Sequence, residues 1–208
     1  MSWLRHIARV IACTAFAFTA AGAAAQPYSP VDPPQPVQGD GRVEVIEFFW
    51  YGCPHCYALE PNVVAWAKKA PKDVVFRRVP AIPSDAWLEP AKMFYTLEAM
   101  GKLEQFHQKV FDAIHKDNVN LNNKKIRDEW LAKNGINLAD YEKAEKSFSV
   151  VTNVNRAKTL TYAYKVDSVP RIAVNGKYYT SAEKAGDLNQ VFVIVDQLIG
   201  MSRKGKPS

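Results

Sequence analysis

The chain has 208 residues, of which 48% are hydrophobic and 23% are charged, and its formal net charge is +6. This composition is typical of a globular protein with one ordinary domain, or one domain carrying a large insertion. The charges are mixed along the sequence and form no basic stripe of the kind that nucleic-acid-binding proteins carry. We therefore expect a globular protein that does not bind nucleic acid.

The first 25 residues differ from the rest. Arg5 and Arg9 precede an apolar run of about a dozen residues at 10–21, and three alanines at 23–25 follow it. A basic start, a short apolar run and small residues at the end are typical of a cleaved secretory signal peptide. An uncleaved anchor is the alternative, but the run is shorter than the ~20 residues that a membrane span requires. Cleavage after residue 25 removes Cys13 and lowers the net charge by two, to +4.

The first half of the remaining chain predicts a lead-in, a strand, a helix and a second strand. Residues 26–41 contain five prolines, and we expect an extended, poorly ordered lead-in, with structure starting near residue 42. Residues 43–50 are mostly apolar, β-branched or aromatic, which predicts a buried strand. Pro54 suits the first turn of a helix, which we predict over 56–70. Residues 73–79 predict another strand.

The middle of the chain predicts a block of helices. Its apolar residues recur at spacings of three and four, as they do along one face of a helix. Glycines stand where two of the helices should stop. The predicted helices cover residues 87–100, 103–116, 123–134, 138–148 and roughly 150–165.

The last part predicts a hairpin and a helix. Residues 168–174 and 177–180 have the composition of strands and flank Asn175-Gly176, the preferred two-residue turn of a β-hairpin. Residues 188–199 predict an amphipathic helix. The basic tail at 201–208 is expected to be a solvated end.

Two cysteines remain after cleavage, Cys53 and Cys56, in an exported and therefore oxidising setting. A disulfide between them closes too small a loop to be an effective structural staple. A zinc site needs about four ligands, and the histidines elsewhere in the mature chain, His107 and His115, each fall within a helical pattern. Redox chemistry is therefore favoured, and a structural disulfide or a metal site are the alternatives.

The position of this pair at a strand end and helix start predicts its chemistry. Helix N-termini present unpaired N–H groups and a partial positive charge, which lower the pKa of a nearby thiol. Cys53 should stand at that end, with an exposed sulfur, as the nucleophile. Cys56, one turn into the helix, should be more buried and act as the resolving thiol. His55 can add a hydrogen bond or a positive charge, unless it is only a surface histidine. A stabilised thiolate favours the reduced protein and makes the disulfide form an oxidant.

Two segments resemble the signatures of a known family. Residues 47–57 have the sequence Glu-Phe-Phe-Trp-Tyr-Gly-Cys-Pro-His-Cys-Tyr, and residues 169–178 have Val-Pro-Arg-Ile-Ala-Val-Asn-Gly-Lys-Tyr. Together they resemble the DsbA family, periplasmic disulfide oxidases of Gram-negative bacteria. The resemblance implies an α/β protein with a thioredoxin fold, built from 42–85 and 166–200, and a helical domain inserted at 86–165.

The resemblance also implies roles for three further residues. Pro170 matches the cis-proline that faces the active-site disulfide, although an ordinary trans proline at a strand start is the alternative. Val169 would offer its backbone to an extended client chain. Glu47 matches an acid beneath the disulfide that helps to move protons. Alternatively, Glu47 is purely structural and pairs with a lysine such as Lys68 or Lys69.

Three nearby residues carry weaker expectations. Glu60, four residues after Cys56, is expected to be an exposed helix residue. Trp50 and Tyr51 depart from the best-known member of the family and could shape the surface around the disulfide, which affects the choice of client and partner.

The family's chemistry implies an oxidase that needs no cofactor and no metal beyond its own disulfide. Its clients would be folding secreted proteins in the periplasm, and an inner-membrane, quinone-linked oxidase of the DsbB type would reoxidise it. One alternative is a disulfide isomerase or reductase, although related isomerases carry a dimerisation domain where this chain has only its lead-in. Others are a non-catalytic binding or chaperone module, and an oxidase dedicated to one pathway.

Overall fold

The computed structural model describes residues 26–37 and 41–204. The predicted signal peptide at 1–25 and the last four residues of the basic tail lie outside them. In chain order the elements are β1 (Ser29–Pro30), β2 (Val43–Phe49), α1 (Pro54–Ala67), β3 (Val74–Pro80), α2 (Leu88–Ala99), α3 (Leu103–His115), α4 (Lys124–Lys133), α5 (Leu138–Glu145), α6 (Phe148–Ala163), β4 (Arg171–Val174), β5 (Tyr178–Thr180), α7 (Ala182–Ala185) and α8 (Val191–Lys204). A short 3₁₀ turn, Asp85–Trp87, precedes α2.

The strands form one mixed sheet in the order β1-β5-β4-β2-β3, in which β2 is parallel to β3 and antiparallel to β4. All seven residues of β2 are buried because helices cover both faces of the sheet. Val43 and Val45 pack with α1 and α8, whereas Ile46 and Phe48 pack with the helical block. Side chains alternate along a strand, so Glu47 lies on the same face as Val43 and Val45, the face that α1 covers.

The helical block is inserted between β3 and β4, as predicted, and α2 packs against α3, α5 and α6. Most of its helix boundaries lie within two residues of the predicted ones, and the largest difference is at one helix end. The helix predicted over 138–148 ends at Glu145, because Ser147 begins the next helix by accepting the backbone N–H of Val150 on its hydroxyl. The α/β thioredoxin fold with a helical insertion is confirmed.

The proline-rich lead-in is ordered where the structure describes it, so the prediction that structure starts near residue 42 is wrong. β1 pairs with β5, and Val31 N donates to Lys177 O at 2.8 Å. The lead-in also crosses the hairpin turn at Asn175 and Gly176, which both have positive φ. A Cβ on Gly176 would lie 2.0 Å from the carbonyl oxygen of Gln35, so this crossing requires glycine. Prolines are compatible with an edge strand because it need not donate every N–H.

The C-terminal region also corrects the prediction. The last helix begins at Val191 rather than 188 and continues to Lys204, so the first half of the predicted basic tail is helical. Arg203 has a partner within the protein, since its guanidinium donates to Asp73 at 2.7 and 2.8 Å. The short helix α7 was not predicted. Within residues 26–37 and 41–204, no helix combines the length and apolar character needed to cross a bilayer.

Candidate active site

The two cysteines lie where β2 gives way to α1. Cys53 is the N-cap residue of α1 with extended backbone angles, and Pro54 occupies the first turn. The pair stands at a strand end and helix start, as predicted, but the helix predicted over 56–70 spans Pro54–Ala67. Both thiols are free in the structure. Cys56 is 0% exposed and is the more buried of the two, as expected, but Cys53 is only 7% exposed. The expectation of an exposed Cys53 is therefore wrong, since the residue is buried and the Val169 carbonyl oxygen lies 3.3 Å from its sulfur.

The pKa values of the two thiols are moved apart. A hydrogen bond from the Cys56 thiol is the largest cause that lowers the pKa of Cys53 to about 6, followed by the backbone N–H groups of Cys56 and His55. Burial opposes this shift, and the charge of His55 is the smallest of the named contributions. Burial raises the pKa of Cys56 far above its usual range, and the neighbouring Cys53 acts in the same direction. At neutral pH the reduced protein therefore holds a thiolate at Cys53 and a thiol at Cys56.

The loop that carries Val169 and Pro170 faces Cys53. The peptide bond between these two residues is cis, as predicted. Cys53 Sγ, when protonated, donates to the Val169 carbonyl oxygen at 3.3 Å. A second cis peptide bond, between Asp32 and Pro33, was not predicted. The backbone of Val169 is thus within hydrogen-bond distance of the reacting sulfur.

A cluster of buried charges lies on the other side of the cysteines. Arg78 of β3 donates to Glu60 at 2.7 Å, and its Nε lies 3.3 Å from Glu47 Oε2. The suggested pairing of Glu47 with a lysine is therefore wrong, since its cation is Arg78. The expectation that Glu60 is exposed is also wrong, since it is 2% exposed. Residues four apart lie on one face of a helix, so the predicted burial of Cys56 was the sequence signal that Glu60 is also buried.

Glu47 is held largely protonated at neutral pH. Burial is the main cause that raises its pKa to about 8, the charge of Glu60 adds to the shift, and Arg78 opposes it. The charge of Glu47 in turn contributes to the raised pKa of Cys56. A carboxyl group that can carry a proton thus lies close enough to Cys56 to influence its ionisation.

The buried charges connect to the helical block through His107, which was predicted only as part of a helix. Its Nε2 lies 3.5 Å from Glu60 Oε2, and its Nδ1 lies 2.7 Å from the hydroxyl of Tyr51. Burial lowers the pKa of His107, although Glu60 opposes the shift. His115 donates to the Tyr51 carbonyl oxygen at 2.8 Å. Helix α3 therefore holds the residue that precedes the Gly52-Cys53 corner from two sides.

The two aromatic residues before Gly52 have different positions. Tyr51 is fully buried, so it does not shape the surface as expected. Trp50 is half-buried and stacks on Trp87 with ring centroids 4.3 Å apart. A Cβ on Gly52 would lie 2.4 Å from the Trp50 ring, so glycine allows the indole to cover this corner. Trp50 alone of the two borders the surface beside Cys53.

A metal centre finds no support in the described part of the chain. Among residues 26–37 and 41–204, no group of three or more histidine, cysteine, aspartate or glutamate side chains is placed to hold a metal ion. An ionised thiol paired with a buried thiol, on a helix that packs against the central sheet, is the arrangement of a thioredoxin-type thiol–disulfide oxidoreductase.

Comparison with known proteins narrows this class. A family model described as a DSBA-like thioredoxin domain matches residues 69–192, more than half of the chain. The thiol:disulfide interchange protein DsbA of Bordetella parapertussis is 44% identical over 199 residues, covering 95% of this chain and 94% of the relative. The chain belongs to the DsbA family and is a thiol:disulfide oxidoreductase.

Solved structures agree with this assignment. The crystal structure of Pseudomonas aeruginosa DsbA is 39% identical, has a TM-score of 0.81 and covers 86% of this chain and 93% of that one. The oxidoreductase DsbA from Xylella fastidiosa is 26% identical with a TM-score of 0.77, covering 86% and 96%. The two extend well beyond the family-model match and include the region of Cys53 and Cys56.

Proposed function

We propose that the protein donates the disulfide of Cys53 and Cys56 to folding client proteins, with Cys53 as the sulfur that clients attack. The observation that carries this proposal is the opposite displacement of the two thiol pKa values. A thiolate that is stabilised at Cys53 lowers the free energy of the reduced protein, which makes the disulfide form a strong donor. A structural disulfide would not require one ionised and one protonated thiol.

The reaction proceeds in two exchanges. A client thiolate attacks Cys53 Sγ, which forms a mixed disulfide and breaks the bond to Cys56 Sγ. Cys56 leaves with the electron pair and takes up a proton. The second client thiolate then attacks the client sulfur of the mixed disulfide, forms the client disulfide and expels Cys53 as a thiolate. The client loses two electrons and the protein gains them.

Glu47 is the proposed source of the proton that Cys56 takes up. Its pKa of about 8 keeps it mainly protonated at neutral pH, and its charge acts on Cys56. Proton donation to the leaving thiolate favours the first exchange because the Cys56 thiolate is costly in its buried position.

The client chain is proposed to bind in an extended form against the backbone of Val169, beside Pro170. In the reduced structure the carbonyl of Val169 faces Cys53 Sγ. Main-chain pairing of this kind is independent of client sequence, which suits a donor with many clients.

Export and recycling complete the proposal. The signal peptide would be cleaved after residue 25, and the protein would act in the periplasm without an added cofactor. A quinone-linked membrane oxidase of the DsbB type would accept two electrons from the reduced cysteine pair. Intact-mass measurement of the exported protein checks the cleavage, and a mass that retains residues 1–25 would contradict it.

Cysteine-to-serine variants test the mechanism. Cys56→Ser should trap mixed disulfides between Cys53 and clients, because the internal thiol that reverses them is absent. Cys53→Ser should trap few. Non-reducing electrophoresis of exported protein, with and without later reduction, measures both. Equal trapping would show that the nucleophile is wrongly assigned, and no trapping by either variant would favour a non-catalytic binding module.

A further inference from the structure

The segment 164–170 connects the last helix of the helical block to the sheet and carries Val169 to Cys53. The segment begins at Tyr164, the C-cap residue of α6. Lys165 has a φ of 48°, a left-handed conformation that residues with a side chain adopt rarely. Within the described chain, no backbone–backbone hydrogen bond outside helices and strands involves Asp167, Ser168 or Val169. Backbone pairing alone therefore does not fix the part of the segment that faces the active site.

The side chain of Arg171 supplies the missing polar contacts. Its Nη1 donates to the carbonyl oxygens of Lys165 at 2.8 Å and Tyr164 at 3.3 Å, and its Nη2 donates to the Asp167 carboxylate. The guanidinium carbon lies 4.2 Å from the centroid of the Tyr179 ring on β5. Arg171 is only 5% exposed, so its own guanidinium group is largely shielded from water.

These contacts join three parts of the molecule. The carbonyls of Tyr164 and Lys165 follow α6, where helix carbonyls lack partners and a positive charge is favourable. Asp167 lies in the middle of the segment, and Tyr179 belongs to the sheet. The backbone of Arg171 is itself held in β4, where it is in register with Phe48. The Arg171 side chain thus ties the start and the middle of the segment to the central strands.

We propose that Arg171 is a positioning residue that holds the backbone of Val169 in place for the client chain. This inference rests on the proposed function, in which clients pair with that backbone. With Arg171 present, the segment is ordered before a client arrives, so binding does not have to supply the free energy of ordering it. Arg171 touches neither thiol and is expected to leave their chemistry unchanged.

The geometry explains why arginine occupies this position. The planar guanidinium donates to two carbonyls and a carboxylate at once while one face lies on an aromatic ring. A lysine ammonium keeps the charge but neither the planar fork nor the flat contact. The contact to Asp167 matters less than those to the carbonyls, because the Asp167 side chain is 79% exposed and exposed ion pairs contribute little.

The test measures oxidation of a synthetic peptide with two reduced cysteines, using oxidised protein and glutathione as a small-thiol comparison. Arg171→Met should raise the peptide KM about tenfold, the effect of losing roughly one charged hydrogen bond, and leave kcat within about twofold. The rate with glutathione and the Cys53 pKa should not change, because glutathione is too small to need the Val169 backbone. Arg171→Lys should fall between Arg171→Met and the wild type, and Asp167→Asn should be close to the wild type.

The matched control is Arg127→Met. Arg127 is equally buried and pairs with Glu89 in the helical block, so its loss also destabilises the protein but should not raise the peptide KM. An unchanged KM in Arg171→Met, an equal fall in the peptide and glutathione rates, or an equal KM rise in Arg127→Met would each overturn the proposal. If Arg171→Met does not fold, a wild-type KM in Arg171→Lys overturns it. Failure of the proposed function is distinct, since the wild-type protein would then react with glutathione but oxidise no peptide.

Discussion

Cys53 and Cys56 lie one turn apart at the start of α1, yet their surroundings act on them in opposite ways. On the Cys53 side, which comprises Cys53, His55 and the first N–H groups of α1, the thiolate is stabilised by a hydrogen bond from the Cys56 thiol and by those N–H groups. On the Cys56 side, which comprises Cys56, Glu47, Glu60 and Arg78, burial and negative charge favour the thiol. Three residues of separation on one helix thus place the two thiols in surroundings that shift their pKa values in opposite directions.

The largest expected effect is a loss of stability caused by a substitution on the Cys56 side. Arg78→Met would leave Glu47 and Glu60 buried without their cation, and removal of one partner from a buried ion pair costs about 3–5 kcal/mol. Urea unfolding measures this loss. Arg203→Met, which removes the exposed pair with Asp73, is the control and should cost at most about 1 kcal/mol. A similar small loss in both variants would show that the two acids do not depend on Arg78.

The second prediction concerns the Cys53 side and the redox state. The pKa of Cys53 falls from about 8.5 in an unfolded chain to about 6, so between these values the unfolded protein binds more protons. The stability of the reduced form relative to the oxidised form should therefore rise with pH from 6 to about 8.5 and be lost as pH falls through 6, by about 2 kcal/mol after allowance for screening. The oxidised form lacks this thiol and should be the less stable form at pH 8.

Urea unfolding with and without reductant, over pH 5 to about 9, measures the difference between the two forms. That difference isolates the cysteines, because Glu47 titrates in both. Parallel curves, or a more stable oxidised form at pH 8, would contradict a thiolate stabilised at Cys53.

The third prediction sharpens the role of the acid on the Cys56 side. Glu47→Gln keeps the shape of the side chain but removes the carboxyl proton that is proposed to pass to Cys56, so client oxidation should slow about tenfold at pH 7. In the wild type, the rate corrected for client thiolate should fall as pH rises through about 8, where Glu47 ionises. Glu44→Gln is the control, since Glu44 is a buried acid on the opposite face of β2 that pairs with Arg77. Identical pH profiles in the wild type and Glu47→Gln would remove Glu47 from the mechanism.

The smallest expected effect concerns His55. Its charge contributes least among the groups named for Cys53, so His55→Leu should raise the Cys53 pKa by up to about one unit, or 1.4 kcal/mol. Titration of thiolate absorbance measures the shift, and His55→Lys should restore part of it. A rise of several units would mean that His55, rather than the hydrogen bonds around the sulfur, dominates the Cys53 side.

Local signals were sufficient to place Cys53 at the start of α1 and insufficient to find the charged groups around Cys56. A strand end, Gly52 and Pro54 specify a helix that begins at Pro54 with Cys53 as its N-cap, since each acts on its immediate neighbours. The burial of Glu60 depends instead on Arg78, which lies on another strand and is brought to it only by the parallel pairing of β2 with β3. His107 is more remote still, because it arrives with the helical block.

The same reasoning accounts for the other differences. The apolar spacing predicted the helices of the block, because each buries one face. The prolines of the lead-in suggest disorder unless the strand that it pairs with is known. That strand, β5, lies near the other end of the chain. Arg171 carried no local signal beyond its position after Pro170, since its contacts depend on how α6 ends.

The pairing of the lead-in with β5 has a consequence for the timing of folding. Pro27 O accepts a hydrogen bond from Thr180 across 153 residues, and β2 is flanked on one side by a strand from the last quarter of the chain. Contacts between such distant residues are slow to form and require nearly the whole polypeptide. A nascent chain of which only the first half has been synthesised contains Cys53 and Cys56 but lacks β4 and β5. The redox-active centre therefore takes its final form only when synthesis is almost complete.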